Sequence, residues 1–319
     1  MNAVTHAGRM VGAGGLVAFP TETVYGLGAD AFNERAVARI FSVKKRPRFD
    51  PLIVHIASPD QLALVTTGVP DTAKRLIEAF WPGPLTVIVE KSPKVPELVT
   101  AGLRGVGVRM PGNQIARDLI AAAQTPIAAP SANSFGGVSP TCADHVRADL
   151  GEHVDAIIDG GSCTVGIEST IISCMGPEPV LLRPGGIALE DIEKHVGPVD
   201  VPDQNEYKHA SPGRIGRHYA PHTPVTLVDA CRCPPVGKRT GLLSLRETGI
   251  EGAFYRVETL SRSGDLSEAA CNLFSALKSL DAPGVDSIMA VRVPNTGLGR
   301  AINDRLMRAA KKHDSRVDV

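Results

Sequence analysis

Residues 16–57 read LVAFPTETVYGLGADAFNERAVARIFSVKKRPRFDPLIVHIA. A short apolar run, Leu16 to Phe19, leads into a polar tight turn, Pro20 to Gly28, that carries hydroxyls and glycines. Asn33 then precedes Ala36, Val37, Ile40 and Phe41, apolar at helical spacing, and is placed to cap that helix. The helix runs out in cations at Pro47. Leu52 to Ala57 follows as a second buried strand, with Ser58 placed to cap the next helix. Strand, helix and strand in this order define an α/β domain.

The rhythm continues outward from this stretch. Helices are expected at Asp71 to Phe80, Gln114 to Ala123, Ala143 to Leu150 and Glu190 to Val196. Strands are expected at Leu85 to Val89, Gly105 to Arg109, Pro126 to Ala129, Ala156 to Asp159, Ser169 to Cys174 and Val180 to Leu182. Mixed order of this kind implies one twisted, partly antiparallel sheet with helices. Residues 197–224 contain Pro198, Pro202, Pro212, Pro221 and Pro224 and no helix or strand pattern, which reads as a linker. Strands at Val225 to Val228, Gly241 to Leu245, Ala253 to Val257 and Ser287 to Val293, with helices at Asp265 to Leu280 and Ala301 to Lys311, then suggest a smaller, doubly wound parallel α/β domain. The expected division is 1–197, a linker at 198–223, and 224–319.

Composition narrows the function. The chain has 319 residues, 43% hydrophobic and 21% charged, as a globular protein has. Lys plus Arg balances Asp plus Glu at 34 each, so no protein-wide basic field exists to grip a nucleic acid or a membrane surface. No apolar run approaches a spanning helix, and the N-terminal residues lack a secretory signal pattern. Six scattered cysteines, without a CxxC pair, point to a reducing cytosol and no structural zinc. Neither a GxxxxGK[ST] loop nor a GxGxxG turn is present, so any polyphosphate must be held by side-chain cations and scattered amides.

Five groups can carry chemistry. Lys44-Lys45-Arg46-Pro47-Arg48 is either a solvated helix end or a stiff cationic loop able to hold a polyphosphate; Lys44 and Arg46 are expected to be reachable by solvent. Phe19 to Gly28 is either an ordinary strand junction or a pocket at a strand end. Ala128 to Asn133 offers Ser131 and Asn133 as hydrogen-bonding groups at a strand end, and the plainer reading of Ser139 or Thr141 is a helix cap. Arg109 and Arg183 end apolar strands and need an anion, either a structural carboxylate or a substrate. His218 and Tyr219 stand in the linker, where an aromatic has little structural reason to be. No GxSxG elbow or HExxH zinc pattern exists.

Taken in order, PTETVYGLG, KKRPRFDPLIVH, WPGPLT, VRMP, APSAN, SPT, GIEST, LLRPG, HYAP and GLGRAINDRLMRAA resemble the long, two-domain form of the YrdC-like family, the threonylcarbamoyl-AMP synthases. The resemblance spans nearly the whole chain. It implies a YrdC-like catalytic domain, a linker acting as a lid, and a Rossmann-like C-terminal domain. It implies a nucleotidyltransferase that makes L-threonylcarbamoyladenylate from L-threonine, bicarbonate and ATP, releasing pyrophosphate, for threonylcarbamoyl modification of tRNA by a separate transferase. It places Lys44, Arg46, Arg48, Ser131, Asn133, Ser139, Arg183, His218 and Tyr219 around ATP, with Lys44 and Arg46 catalytic. It places Thr21, His55, Arg109 and Ser169 around threonine. Mg²⁺ is expected on the ATP phosphates, with no protein metal site, no membrane, and no stable nucleic-acid binding. The competing reading is a YrdC-type RNA-binding module without this activity.

Overall fold

In the computed structural model, which describes residues 3–202 and 218–311, the first part of the chain builds a nine-stranded mixed sheet. Its strands are β1 (Val17–Phe19), β2 (Gly26–Asp30), β3 (Ile53–His55), β4 (Leu85–Glu90), β5 (Gly105–Arg109), β6 (Ile127–Ala129), β7 (Ala156–Ile157), β8 (Thr170–Ser173) and β9 (Val180–Arg183). They lie in the order β7-β1-β2-β6-β3-β5-β4-β8-β9. Its helices are α1 (Ala3–Gly12), α2 (Glu34–Lys44), α3 (Leu62–Val65), α4 (Asp71–Phe80), α5 (Glu97–Thr100), α6 (Gln114–Ala123), α7 (Ala143–Leu150) and α8 (Leu189–Val196).

Side-chain alternation gives this sheet two unlike faces. Val54, Leu85, Val87, Val89, Val106 and Val108 enter the larger core, together with residues of α2 and α4. The alternate positions carry Ile53, His55, Thr86, Ile88, Gly105, Gly107 and Arg109. At one end of that second face, α1 and α6 pack over Val17, Phe19, Ile127 and Ala129. α1 and α5 are additions to the expected elements. α1 contains Gly8 and Gly12, which weaken an isolated helix; a Cβ at Gly8 would sit 2.5 Å from Ala122 Cβ of α6, so the glycine sets the close helix approach.

β2 corrects the reading of Pro20 to Gly28 as a turn throughout. Gly26 and Gly28 are strand residues paired with Phe19 and Val17. A Cβ at Gly28 would lie 2.8 Å from the Phe19 ring and 2.7 Å from Ile127 Cγ2. The glycines make room for that ring. Asn33 caps α2 as expected, accepting from Ala36 N. Ser58 precedes only a short 3-10 turn and makes no side-chain cap. Neither Ser139 nor Thr141 is the cap of α7, which is Cys142.

The chain divides into two compact units, Met1–Phe135 with Pro140–Ile215 and Gly136–Ser139 with Gly216–Val319. The linker expected at 198–223 falls mostly on 203–217, outside the described residues. The second unit holds β10 (Val225–Val228), β11 (Thr240–Ser244), β12 (Arg256–Thr259) and β13 (Ser287–Val291), all parallel, in the order β10-β13-β11-β12. Its helices are α9 (Leu266–Leu280) and α10 (Gly299–Ala309). The sheet is not wound by helices on both sides: α9 packs on β11 and β12, α10 on β10 and on α9, and the β10–β11 and β11–β12 connections contain no α-helix. Loop residues Cys231, Ile250 and Phe254 cover the other face over Leu242 and Met289. Phe254 belongs to this cover, and β12 therefore starts at Arg256, later than the apolar run suggested.

Candidate active site

The pairing directions make β3, β5 and β9 run the same way, so His55, Arg109 and Arg183 all fall at strand C-termini on one edge of the sheet. His55 and Arg109 are register partners. Arg109 is buried, and its guanidinium meets three partners from two segments of chain. Nη1 donates to Thr23 Oγ1 at 2.9 Å, Nε donates to the Gly83 carbonyl at 3.3 Å, and Nη2 lies 2.6 Å from Glu22 Oε1. Nε and Nη1 each make one hydrogen bond, whereas the buried Nη2 has the Glu22 carboxylate beside it as an ion pair without an aligned hydrogen bond.

Thr21 shapes the turn that brings Glu22 and Thr23 to Arg109. Its hydroxyl donates to the Val24 carbonyl at 2.7 Å and accepts from the amides of Thr23 and Val24, beside Thr23 Oγ1 at 2.8 Å. His55 lies edge-on to Phe19, with centroids 6.0 Å apart. Burial, reinforced by the Arg109 charge, pushes its pKa down to about 3, so the ring is neutral. Nδ1 faces the Ile53 carbonyl at 3.2 Å, and the Ile127 carbonyl is a second main-chain acceptor for the ring. Burial raises the Glu22 carboxyl, but the Arg109 charge and the main chain at Gly112 outweigh it and hold the group below its usual value.

Ser169 and Arg183 form a neighbouring group. Arg183 Nη2 donates to the Ser169 carbonyl at 3.0 Å and to its Oγ at 3.2 Å. Ser169 Oγ is 2.8 Å from Thr86 Oγ1, which projects from the same sheet face as Arg109. Gly185 permits the contact: a Cβ there would lie 2.3 Å from the Ser169 carbonyl carbon.

The cationic loop corrects an expectation. Lys44 and Arg46 are buried, at 1% and 7% exposure, and not reachable by solvent. Lys45 closes α2 in a left-handed conformation, φ 52°, and turns the chain back on itself. Lys44 Nζ then donates to the carbonyls of Ser131, at 2.6 Å, and Asn133. Burial, with the Arg46 charge, lowers its pKa to about 7. Arg46 pairs with Asp50 at 2.9 Å and donates to the carbonyls of Asp50 and Pro51. Its partner is a buried carboxylate of the same loop, so Arg46 is not part of a solvated helix end. Arg48 is exposed beside Glu34, Arg35 and Glu97 in an open groove of about 540 Å³.

Lys44, Ser131 and Asn133 therefore form one group, in which Ser131 Oγ donates to Asn133 Oδ1 at 2.5 Å. The backbone ties it to the turn before β2, since Ala132 N donates to the Tyr25 carbonyl and Leu27 N to that of Pro130. Ser139, His218 and Tyr219 belong to the second unit. There Tyr219, at φ 58° and buried, stacks on Phe274 with centroids 5.6 Å apart, and the Arg305 guanidinium lies 5.2 Å from its ring. Ser139 is fully buried. Glu22, Thr23, Asp50 and Thr86 are the residues that sequence reasoning missed. All four lay inside the quoted strings, Glu22 and Thr23 in PTETVYGLG, Asp50 in KKRPRFDPLIVH and Thr86 in WPGPLT. Among the described residues no cluster of three or more His, Cys, Asp or Glu side chains could hold a metal, and no helix is long and apolar enough to cross a membrane.

Residues 9–185 match a family profile described as Telomere recombination, the Sua5/YciO/YrdC profile, and residues 187–311 match one described as Threonylcarbamoyl-AMP synthase, C-terminal domain. The chain belongs to the Sua5/YciO/YrdC family, in its two-domain form. It is 43% identical to the threonylcarbamoyl-AMP synthase of Pyrococcus abyssi, over 95% of this chain and 93% of that protein. It is 45% identical to the synthase of Bacillus subtilis, over 96% and 92%. The crystal structure of P. abyssi Sua5 complexed with L-threonine superposes with a TM-score of 0.90 at 42% identity, over 96% of this chain and 94% of that one.

Proposed function

We propose that this chain is an L-threonylcarbamoyladenylate synthase. The reaction takes L-threonine, bicarbonate and ATP and releases pyrophosphate. The threonine amine captures CO₂ as a carbamate, a carbamate oxygen attacks the α-phosphorus, and the α,β-phosphoanhydride bond breaks. No protein nucleophile is needed; the chain's part is positioning and charge stabilisation.

The observation that carries this reading is Arg109. A buried guanidinium that keeps donor capacity beyond its bonds to Thr23 and Gly83 suits a carboxylate, and an amino acid supplies it. Neutral His55, Thr21 and the Ser169 hydroxyl would border the same substrate. We assign ATP to Lys44, Arg46, Arg48, Ser131, Asn133, Ser139 and Arg183, with His218 and Tyr219 contributing from the far side of the linker. Arg46 acts there by stiffening the loop through Asp50, and exposed Arg48 supplies the mobile cation. Mg²⁺ enters with ATP as part of the substrate, carried by phosphates and water. We place the enzyme in the cytoplasm, upstream of a tRNA threonylcarbamoyl transferase. An RNA-binding role is less well supported, because two of the four clustered cations are buried.

The test is mass detection of threonylcarbamoyladenylate from purified protein with Mg²⁺, ATP, bicarbonate and threonine. Product is expected only when threonine is present. Its absence from the complete mixture overturns the reading.

A further inference from the structure

Glu22 is an anion beside the arginine that would receive another anion. At close range, like charges cost affinity, so its presence there needs a reason. Its carboxylate is fixed from two sides. Oε1 meets Arg109 Nη2 at 2.6 Å, and the Asn113 amide donates to Oε2 at 3.3 Å, at the start of α6. Its own carbonyl accepts from Val165 N at 2.7 Å. Glu22 is therefore anchored to two segments outside β5, whereas Arg109 is a long side chain at the end of a strand.

One role for such a carboxylate is to take the substrate ammonium. The chemistry disfavours it: carbamate formation needs the neutral amine, and a carboxylate contact would favour its protonated form. The oxygens are also already engaged. We propose instead that Glu22 is a positioning residue for the amino-acid substrate. It holds the Arg109 guanidinium from the Nη2 side, so that the donor capacity left beyond Thr23 and Gly83 is directed at the substrate carboxylate. This rests on the assignment of Arg109 to that carboxylate. Thr23 and the Gly83 carbonyl hold Nη1 and Nε; Glu22 holds the third nitrogen, and with it the plane of the group is fixed. An arginine so fixed loses less freedom when it binds.

The test is Glu22→Gln, which keeps the shape and removes the charge, with Glu22→Asp as a second variant that keeps the charge and shortens the reach. Threonine binding is measured by calorimetry without ATP, and KM for threonine and for ATP in the adenylate assay. The expected result is a tenfold or larger loss of threonine affinity in Glu22→Gln, a smaller loss in Glu22→Asp, and ATP KM within twofold of wild type in both. A structural role alone would move both KM values together or only the melting temperature. Unchanged or tighter threonine binding in Glu22→Gln overturns the proposal, since the charge would then merely compete with substrate. Should Glu22→Gln not fold, Glu22→Asp decides: unchanged threonine affinity there overturns it. Wild-type protein that makes no threonylcarbamoyladenylate instead overturns the enzymatic reading, which separates the two failures.

Discussion

Lys44 Nζ donates to the carbonyl oxygen of Ser131 at 2.6 Å, joining the end of α2 to the loop after β6. The loop position of the lysine would have suggested a freely solvated ammonium. The burial of that ammonium makes it sensitive to pH and to any anion placed near it.

The sign of this pH sensitivity follows from linkage. The folded pKa is about 7 and the ordinary value 10.5. Between these the unfolded chain binds more protons, so stability rises with pH in that window and is flat below it. The melting temperature of wild type minus that of Lys44→Met should therefore increase from pH 7 towards pH 10. A constant difference would show that the ammonium keeps its ordinary pKa.

ATP should reverse that depression, because phosphates favour the charged lysine. Nucleotide binding near pH 8 is then accompanied by proton uptake. Calorimetry of ATP binding in buffers of different ionisation enthalpy measures it, and Lys44→Met should abolish the buffer dependence.

Arg46 and Arg48 should separate cleanly. Breaking the buried Arg46–Asp50 pair costs about 3–5 kcal/mol, so Arg46→Ala should melt well below wild type. Arg48→Ala should melt within a degree or two of wild type and raise the ATP KM several-fold. Equal effects on stability would contradict the burial difference.

Arg109→Lys keeps the charge but loses the fork. Charge-assisted hydrogen bonds contribute roughly 1.5–3 kcal/mol each, so threonine KM should rise about 30-fold while ATP KM stays within twofold. A parallel rise in both would argue against a carboxylate at this position.

Much of the fold was legible because its signals are local. Asp71–Phe80 ends at the Trp81–Pro84 breaker, and Gln114–Ala123 begins behind the Asn113 cap. β2 was missed because Gly26 and Gly28 read as turn residues, and their real constraint is the Phe19 ring on a neighbouring strand. The site was legible as motifs but not as pairings. Nothing local in the sequence pairs Arg109 with Glu22, 87 positions away in the chain, or Ser169 with Thr86. The i,i+4 pair of Arg46 with Asp50 lies within one loop and could have been found by asking which acid stood nearest.

The two faces of the nine-stranded sheet give selection two independent registers to write in. In β5, Val106 and Val108 answer to the core, while Gly105, Gly107 and Arg109 answer to whatever lies over the opposite face. A descendant could exchange residues of the second set, and so accept a different guest, without disturbing the first. Tolerance of new chemistry is thus a property of the pleat itself, inherited with the scaffold before any particular substrate is chosen.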